Sequence, residues 1–378
     1  MARRKSELVE EAVSLGIAEK SVAETCSTER LMDLIRDKKC GTNNLLPQIA
    51  PMLCRDAKDF LDYSLHKPWE SKQMDMFWDD PDWIAEEKID GCRFKMHFTE
   101  GGVRIDSRRR SDVSYAYQER TDNFPQFDKA FPRELVGTIL DGEILMPYKK
   151  IDTGSVVTDG VLQATVAVCN SSPERSREIQ DRYGPAKFIA FDVVDFDNDY
   201  FERRDLLQSH LFRLWDKGWN STLIHNPDFC DGDKKRFFEL CLFHNKEGVV
   251  FKKYCGMYEQ GKRSKFNYKL KRFSTVDCFV SGYIPGEHGF EGLVGALKLS
   301  VCRNEATVEV GAVSQLTLEQ RKALSSKDGS LVPEAYKRVV EVRYQELTKT
   351  NRMRHAVLVG FRNDKDWIEC KGFDIFGD

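Results

Sequence analysis

Phe94, Met96 and Phe98 alternate with Arg93, Lys95 and His97, and this period of two predicts a strand with one buried and one exposed face. The alternation resumes in Val103 and Ile105 beyond Glu100-Gly101-Gly102, which reads as a hairpin turn. Three more runs, TILDGEILM, KFIAFDVVDF and GVVFKKY, are short, apolar and β-branched, as interior strands are. Helical stretches near 173–183, 202–217 and 233–244 fall between them without a regular strand–helix–strand rhythm. Residues 46–274 are therefore expected to form an α+β domain.

The flanking regions have a different character. Residues 275–378 contain CFVSGY, ALKLSVC, ATVEVGAV and AVLVGFR, separated by Gly- and Asn-containing turns. One helix, opening on the capping-box pattern Thr317-Leu318-Glu319-Gln320, lies among them. Short strands plus one helix in about 100 residues are expected to close into an OB-fold β-barrel. Residues 1–45 read as a small helical module. Leu8, Val9, Ala12, Val13 and Leu15 recur at helical spacing before Gly16, and Leu31, Met32, Leu34 and Ile35 follow a Ser27-Thr28 cap. Lys38, Lys39 and Gly41 close the second helix, and TNNLLPQIAP at 42–51 reads as the linker out.

Composition narrows the function classes. Lys plus Arg number 58 against 61 Asp plus Glu, so any basic surface must be local. The 24 Phe, 12 Tyr and 6 Trp argue against disorder. No apolar run is long enough for a membrane-spanning helix, and MARRKSELVEE has no apolar core behind its basic residues, as a secretory signal would. Eleven Cys without a C-x-x-C pair argue against a zinc ribbon or disulfide framework and for a reducing, cytosol-like compartment.

The string Glu86-Glu87-Lys88-Ile89-Asp90-Gly91-Cys92-Arg93 carries little weight alone, since K-x-D-G arises by chance in roughly one chain in ten of this length. It gains weight from an ordered series of strings downstream: Ser107-Arg108, Leu140-Asp141-Gly142-Glu143-Ile144 and Phe188-Ile189-Ala190-Phe191-Asp192. Glu247-Gly248-Val249-Val250-Phe251-Lys252, Asn267-Tyr268-Lys269-Leu270-Lys271 and the run from Arg354 to Lys365 complete the series. In order and spacing this set, over about residues 48–366, resembles the covalent nucleotidyltransferases and, within them, the ATP-dependent DNA ligases. A compact chain of this kind resembles the viral and phage forms.

That resemblance implies an adenylyltransferase domain in which Lys88 attacks ATP and forms a phosphoramidate with AMP. Free Lys has a pKa of about 10.4, so burial or nearby cations must lower it, and Arg93, Lys269 and Lys271 are the candidates. The same cations would hold the triphosphate and stabilise departing pyrophosphate. Glu143 and Glu247 are expected to hold Mg²⁺, with Mn²⁺ able to substitute, and Glu143 to meet the ribose. Phe191 resembles the adenine-stacking aromatic, and Glu86 and Ile89 flank the base beside Lys88. Arg93 and Arg108 match positions that contact the nucleotide or the nick 5′-phosphate. From Lys252 to Arg272 eight basic residues face a single acid, Glu259, and within this stretch Arg263 is expected to reach the triphosphate. In the final motif Arg362 and Lys365 match residues that orient pyrophosphate, with a hinge near Phe273-Ser274-Thr275. Ala356 stands where that motif usually carries Pro.

The expected substrate is nicked duplex DNA and the expected state a cytoplasmic or nucleoid monomer, with no membrane contact. An mRNA-capping guanylyltransferase and an RNA ligase share the lysine chemistry and remain the competing readings. Residues 1–45 faintly resemble a SAP-like DNA-binding module. Their charges balance, eight basic to eight acidic within 1–40, so a packing role competes with DNA binding.

Overall fold

A computed structural model describes residues 4–371 apart from 18–19, 26–27, 29–30, 33, 36–37, 39–45, 63–64, 66, 112–114, 149–150, 153–159, 304–305, 345 and 349. Ser27, Lys39, Gly41 and the first part of the 42–51 linker lie outside the described residues. The chain divides into two compact units, Met1–Leu61 with Ser71–Leu270, and Asp62–Glu70 with Lys271–Asp378.

The first unit is built on two sheets. One has six strands in the order Tyr117–Glu119, Gly102–Arg110, Cys92–Thr99, Ile139–Leu145, Lys187–Val193 and Ile224–His225. Its central pairs are antiparallel, and the alternation around Phe94 does what a period of two dictates. Phe94, Met96 and Phe98 enter the core with Leu140, Ile144 and Phe188. The other face is also covered, which is why Lys95 and His97 are buried and must be paired. Lys95 Nζ lies 3.2 Å from Asp106 and donates to the Ile49 carbonyl, and His97 Nε2 lies 3.2 Å from the same carboxylate.

The second sheet runs Leu53–Asp56, Arg263–Lys271, Gly248–Lys253, Trp83–Glu87 and Phe229–Cys230. Phe77 stacks on Phe251 with ring centroids 4.8 Å apart, with Trp83 packed edgewise and Tyr268 tilted against it. The expected helices appear at Pro173–Tyr183, Tyr200–Asp216 and Lys234–Phe243. A further helix, Val161–Asn170, was not evident in the apolar pattern because it is apolar on nearly every side.

The N-terminal helices Lys5–Ser14 and Lys20–Thr25 belong to this same compact unit. Leu8, Val9, Ala12, Ala23, Leu31 and Ile35 bury around Tyr115, whose hydroxyl donates to Glu11 at 2.5 Å.

The second unit carries a five-stranded antiparallel sheet in the order Ala306–Val313, Val294–Arg303, Ser274–Pro285, Val339–Tyr344 and Val357–Arg362. Val280, Leu297, Leu299, Val310, Val340 and Val342 form its core. The helix Leu318–Leu324 opens on the expected box, with the Gln320 amide donating to Thr317 Oγ1 and the Thr317 amide to Gln320 Oε1.

The OB-fold barrel expected from the strand count is not formed. Closure needs the two edge strands, Ala306–Val313 and Val357–Arg362, to pair, and among the described residues they do not. The first edge is instead overlain by a separate hairpin, Glu346–Leu347 with Met353–Arg354. Met353 lies against Gly311 of that edge, and Arg352 binds Glu309 at 2.9 Å. Counting short strands could not foresee this, because closure depends on which edges meet. Among the described residues, no helix is long and apolar enough to cross a membrane.

Candidate active site

Lys88 follows directly on the strand Trp83–Glu87, and its amide continues the ladder by donating to the Gly248 carbonyl at 2.9 Å. That register sets Lys88 opposite Gly248, one residue from Glu247. Nζ donates to Glu247 Oε2 at 2.6 Å, with both side chains about four-fifths buried. Gly248 has φ +140°, a conformation that side chains other than Gly's rarely adopt, so the turn that presents Glu247 depends on it.

The second carboxylate comes from the neighbouring sheet. Glu143 pairs in register with Arg93 across the strands Cys92–Thr99 and Ile139–Leu145. A Cβ on Gly91 would stand 3.2 Å from Glu143 Oε2 and 2.4 Å from the Ile144 carbonyl, so a bare glycine is what lets Lys88-Ile89-Asp90-Gly91 lie against this strand. Glu143 Oε2 is sealed from solvent and has no hydrogen-bond partner. Burial pushes its pKa up to about 7, although Lys88 and Arg93 pull the other way.

The expected lowering of the Lys88 pKa by surrounding cations is reversed here. Burial disfavours the ammonium, but Glu247 and Glu143 outweigh it, and the pKa lies above the ordinary lysine value. The amine is held as an ammonium between two carboxylates, because the cations expected to press on it are themselves engaged.

Arg93 is the clearest example. Its Nε and a terminal nitrogen donate to the two oxygens of buried Asp141 at 2.9 and 2.5 Å, and Tyr258 donates to the same carboxylate at 2.7 Å. An Asp141→Ala chain is expected to lose about 3–5 kcal/mol of stability in chemical denaturation, since it strands the buried guanidinium. A loss below about 1 kcal/mol would show the pair to be dispensable.

The Phe191 ring is half-buried, with Arg93 and the Lys252 ammonium each 5.1 Å from its centroid. Lys252 is buried, donates to the Phe191 carbonyl at 2.6 Å and pairs with Glu86 at 2.7 Å. The buried Tyr200 hydroxyl also donates to Glu86. The Glu86 side chain is thus bound into the protein on two sides, while Ile89 lies half-buried beyond Lys88.

The remaining expected residues are more dispersed. Lys269 pairs in register with Asp56, and its charge, with those of Arg93, Lys252 and Lys88, bears on Cys54, whose thiol is nonetheless raised by burial. Arg263 begins its strand, exposed, and donates to the Cys54 carbonyl at 3.0 Å. Arg108 is exposed on the strand Gly102–Arg110.

Lys271, Arg362 and Lys365 belong to the second unit. There, Arg362 chelates Asp364 with two bonds of 2.8 Å, and Lys365 donates to Asp277 at 2.8 Å.

Sequence reasoning gave no role of their own to Asp141, Tyr200, Tyr258 and Lys252. Asp141 sits within the quoted LDGE string, and Lys252 ends the EGVVFK run, so a charged residue inside an apolar strand was the available signal.

The charge arrangement fits a divalent cation. Glu143 offers a sealed, unpartnered oxygen near a second carboxylate, and Mg²⁺ needs few protein ligands. Among the described residues no cluster of three or more Asp, Glu, His or Cys that could hold a metal ion is formed, here or elsewhere.

The family described as ATP dependent DNA ligase domain matches residues 51–271, more than half of the chain, and that described as DNA ligase OB-like domain matches 285–362. The multifunctional non-homologous end joining DNA repair protein LigD of Mycobacterium tuberculosis is 26% identical over 311 residues, 75% of this chain and 36% of its own length. The DNA ligase of Pyrobaculum arsenaticum is 30% identical over 239 residues, 57% of this chain and 36% of its own. The chain thus spans little more than a third of the length of these relatives. A solved structure of a Lig E DNA ligase shares the fold, with a TM-score of 0.56 and 16% identity over 83% of this chain and 99% of that one.

Proposed function

Since the chain belongs to the ATP-dependent DNA ligase family, we propose that it seals 5′-phosphate/3′-hydroxyl nicks in duplex DNA through an adenylated Lys88. The observation that carries this reading is the Lys88–Glu247 contact of 2.6 Å beside the unpartnered oxygen of Glu143. It joins a nucleophile and two carboxyl groups in one enclosed place.

In the first step the Lys88 ammonium gives up its proton to solvent, and the free amine attacks the α-phosphorus of ATP. The N–P bond forms as the bond to pyrophosphate breaks. The half-buried Phe191 ring offers a face for the adenine, and Lys252 and Glu86 fix the strand that carries it. Glu143 and Glu247 would hold Mg²⁺, which supplies neutralising charge on the phosphates. The nick 5′-phosphate then takes AMP from Lys88, and the 3′-hydroxyl displaces AMP to join the strand. Arg108, Lys269, Lys271 and Arg263 are proposed to engage phosphates of the nucleotide or the nick.

Two experiments test the reading. Incubation with labelled ATP or GTP, with the modified residue mapped, is expected to show ATP-dependent labelling at Lys88 and sealing of a nicked duplex. Labelling by GTP alone would replace the reading with that of a guanylyltransferase, and sealing of RNA ends alone with that of an RNA ligase. An Arg362→Ala chain is expected to lose tenfold or more in self-adenylation while sealing a pre-adenylated nick at near the original rate. Equal losses in the two assays would remove Arg362 from the adenylation step.

A further inference from the structure

Asp141 and Asp192 stand opposite each other in register on the neighbouring strands Ile139–Leu145 and Lys187–Val193, and both are buried. Like charges so placed repel, so each carboxylate needs a cation of its own. Arg93 serves Asp141 with its two bonds. Arg203, from the helix Tyr200–Asp216, serves Asp192 with bonds of 2.8 and 3.2 Å. Phe191 touches both pairs: it precedes Asp192 in the chain, and its ring lies beside the Arg93 guanidinium.

Tyr258 joins the two pairs. Its hydroxyl donates to Asp141 at 2.7 Å and accepts from the Met52 amide at 3.4 Å. The centre of its ring lies 5.7 Å from the Arg203 guanidinium. Arg203 also donates to the carbonyl of Gly256, two residues before Tyr258, at 2.8 Å. A Cβ on Gly256 would stand 2.7 Å from Phe266 Cβ, so this approach to Tyr258 is closely packed. With 4% of its surface exposed, Tyr258 is enclosed in the protein and offers no face to a ligand.

We infer that Tyr258 is a positioning residue for nucleotide binding, which fixes Asp141 so that Arg93 is held beside the Phe191 ring. The two bonds between Arg93 and Asp141 set these groups relative to each other, but they do not fix the pair within the pocket. The third bond, from a separate loop, does. Two of the three Arg93 nitrogens are spent on Asp141, and Nη1 makes no hydrogen bond among the described residues, which leaves it for the nucleotide. Without the Tyr258 hydroxyl the carboxylate can turn and carry the guanidinium away from the ring. No group at the phosphorus is altered, so the loss falls on the binding of ATP and not on the chemical step.

This inference rests on the nucleotide site proposed above, and self-adenylation of the full chain at varied ATP tests it. Tyr258→Phe is expected to raise KM for ATP about fivefold or more while the maximal rate stays within about twofold of the wild type. Phe196→Ala removes the ring packed edgewise on Tyr258 at 5.9 Å but keeps the hydroxyl, and it should leave KM unchanged. Should the Phe variant fail to fold, Asp141→Asn loosens the same hold without changing its shape and should show the same rise. An unchanged KM, a fall in maximal rate that accounts for the whole effect, or an equal rise in Phe196→Ala would each overturn the inference. ATP binding measured with a chelator present, which holds back the chemistry, should weaken about fivefold or more in the Phe variant. A wild type that takes no label but binds ATP more tightly than the Phe variant would count against the role of Lys88 and for that of Tyr258.

Discussion

A Lys88→Ala chain is expected to take up no AMP from labelled ATP, a loss of roughly a thousandfold or more, while still binding a nicked duplex. The expectation rests on position. Lys88 is the lysine placed between Glu247 and Glu143, whereas Lys252, the other buried lysine beside the Phe191 ring, is bound to Glu86 and a backbone carbonyl. Lys88→Arg should fail as completely, since a guanidinium keeps its charge and cannot supply a free electron pair. The substitution should not unfold the chain. Lys88 follows a strand end, its amide bond to Gly248 is retained, and removing one charge between two carboxylates leaves Glu143 and Glu247 free to take up protons. Measuring label uptake and nick binding on the same preparation separates the chemistry from the fold. Label on the Ala variant would mean that another amine is the nucleophile.

The parts of this site that could be read from residues alone are those whose chemistry is unusual at their location. A lysine in K-x-D-G, a glutamate in LDGE and another before Gly-Val-Val stand out because carboxylates and amines in or beside apolar strands need a reason to be there. The strands around Phe94 and the capped helix at Thr317 were legible because local periodicity and a local hydrogen bond set them. The direction of the Lys88 shift was not legible. It depends on which of several charges lies nearer, and Arg93, expected to press on the amine, is instead bound to Asp141. The open sheet of the second unit was hidden for a similar reason. Strand number can be counted in a sequence, but the covering of one edge by a hairpin involves residues some forty positions apart.

Glu143→Gln is expected to change both the pH dependence of the chain's stability and its adenylation. In the wild type, burial raises this carboxyl from the ordinary 4.5 to about 7, so the folded state binds a proton that the unfolded state releases between those values. Its contribution to stability is therefore complete below pH 4.5 and lost as pH rises through 7. That loss amounts to roughly 3 kcal/mol for a shift of this size. A glutamine has no proton to lose. Chemical denaturation in the presence of a chelator should therefore show the variant gaining on the wild type by about that amount between about pH 5 and pH 8. Adenylation should be weak in the variant at every pH tested, because the carboxylate that would hold Mg²⁺ is gone. A stability difference that does not vary with pH would show that Glu143 ionises normally, and would remove the sealed oxygen as the reason for placing a cation beside Lys88.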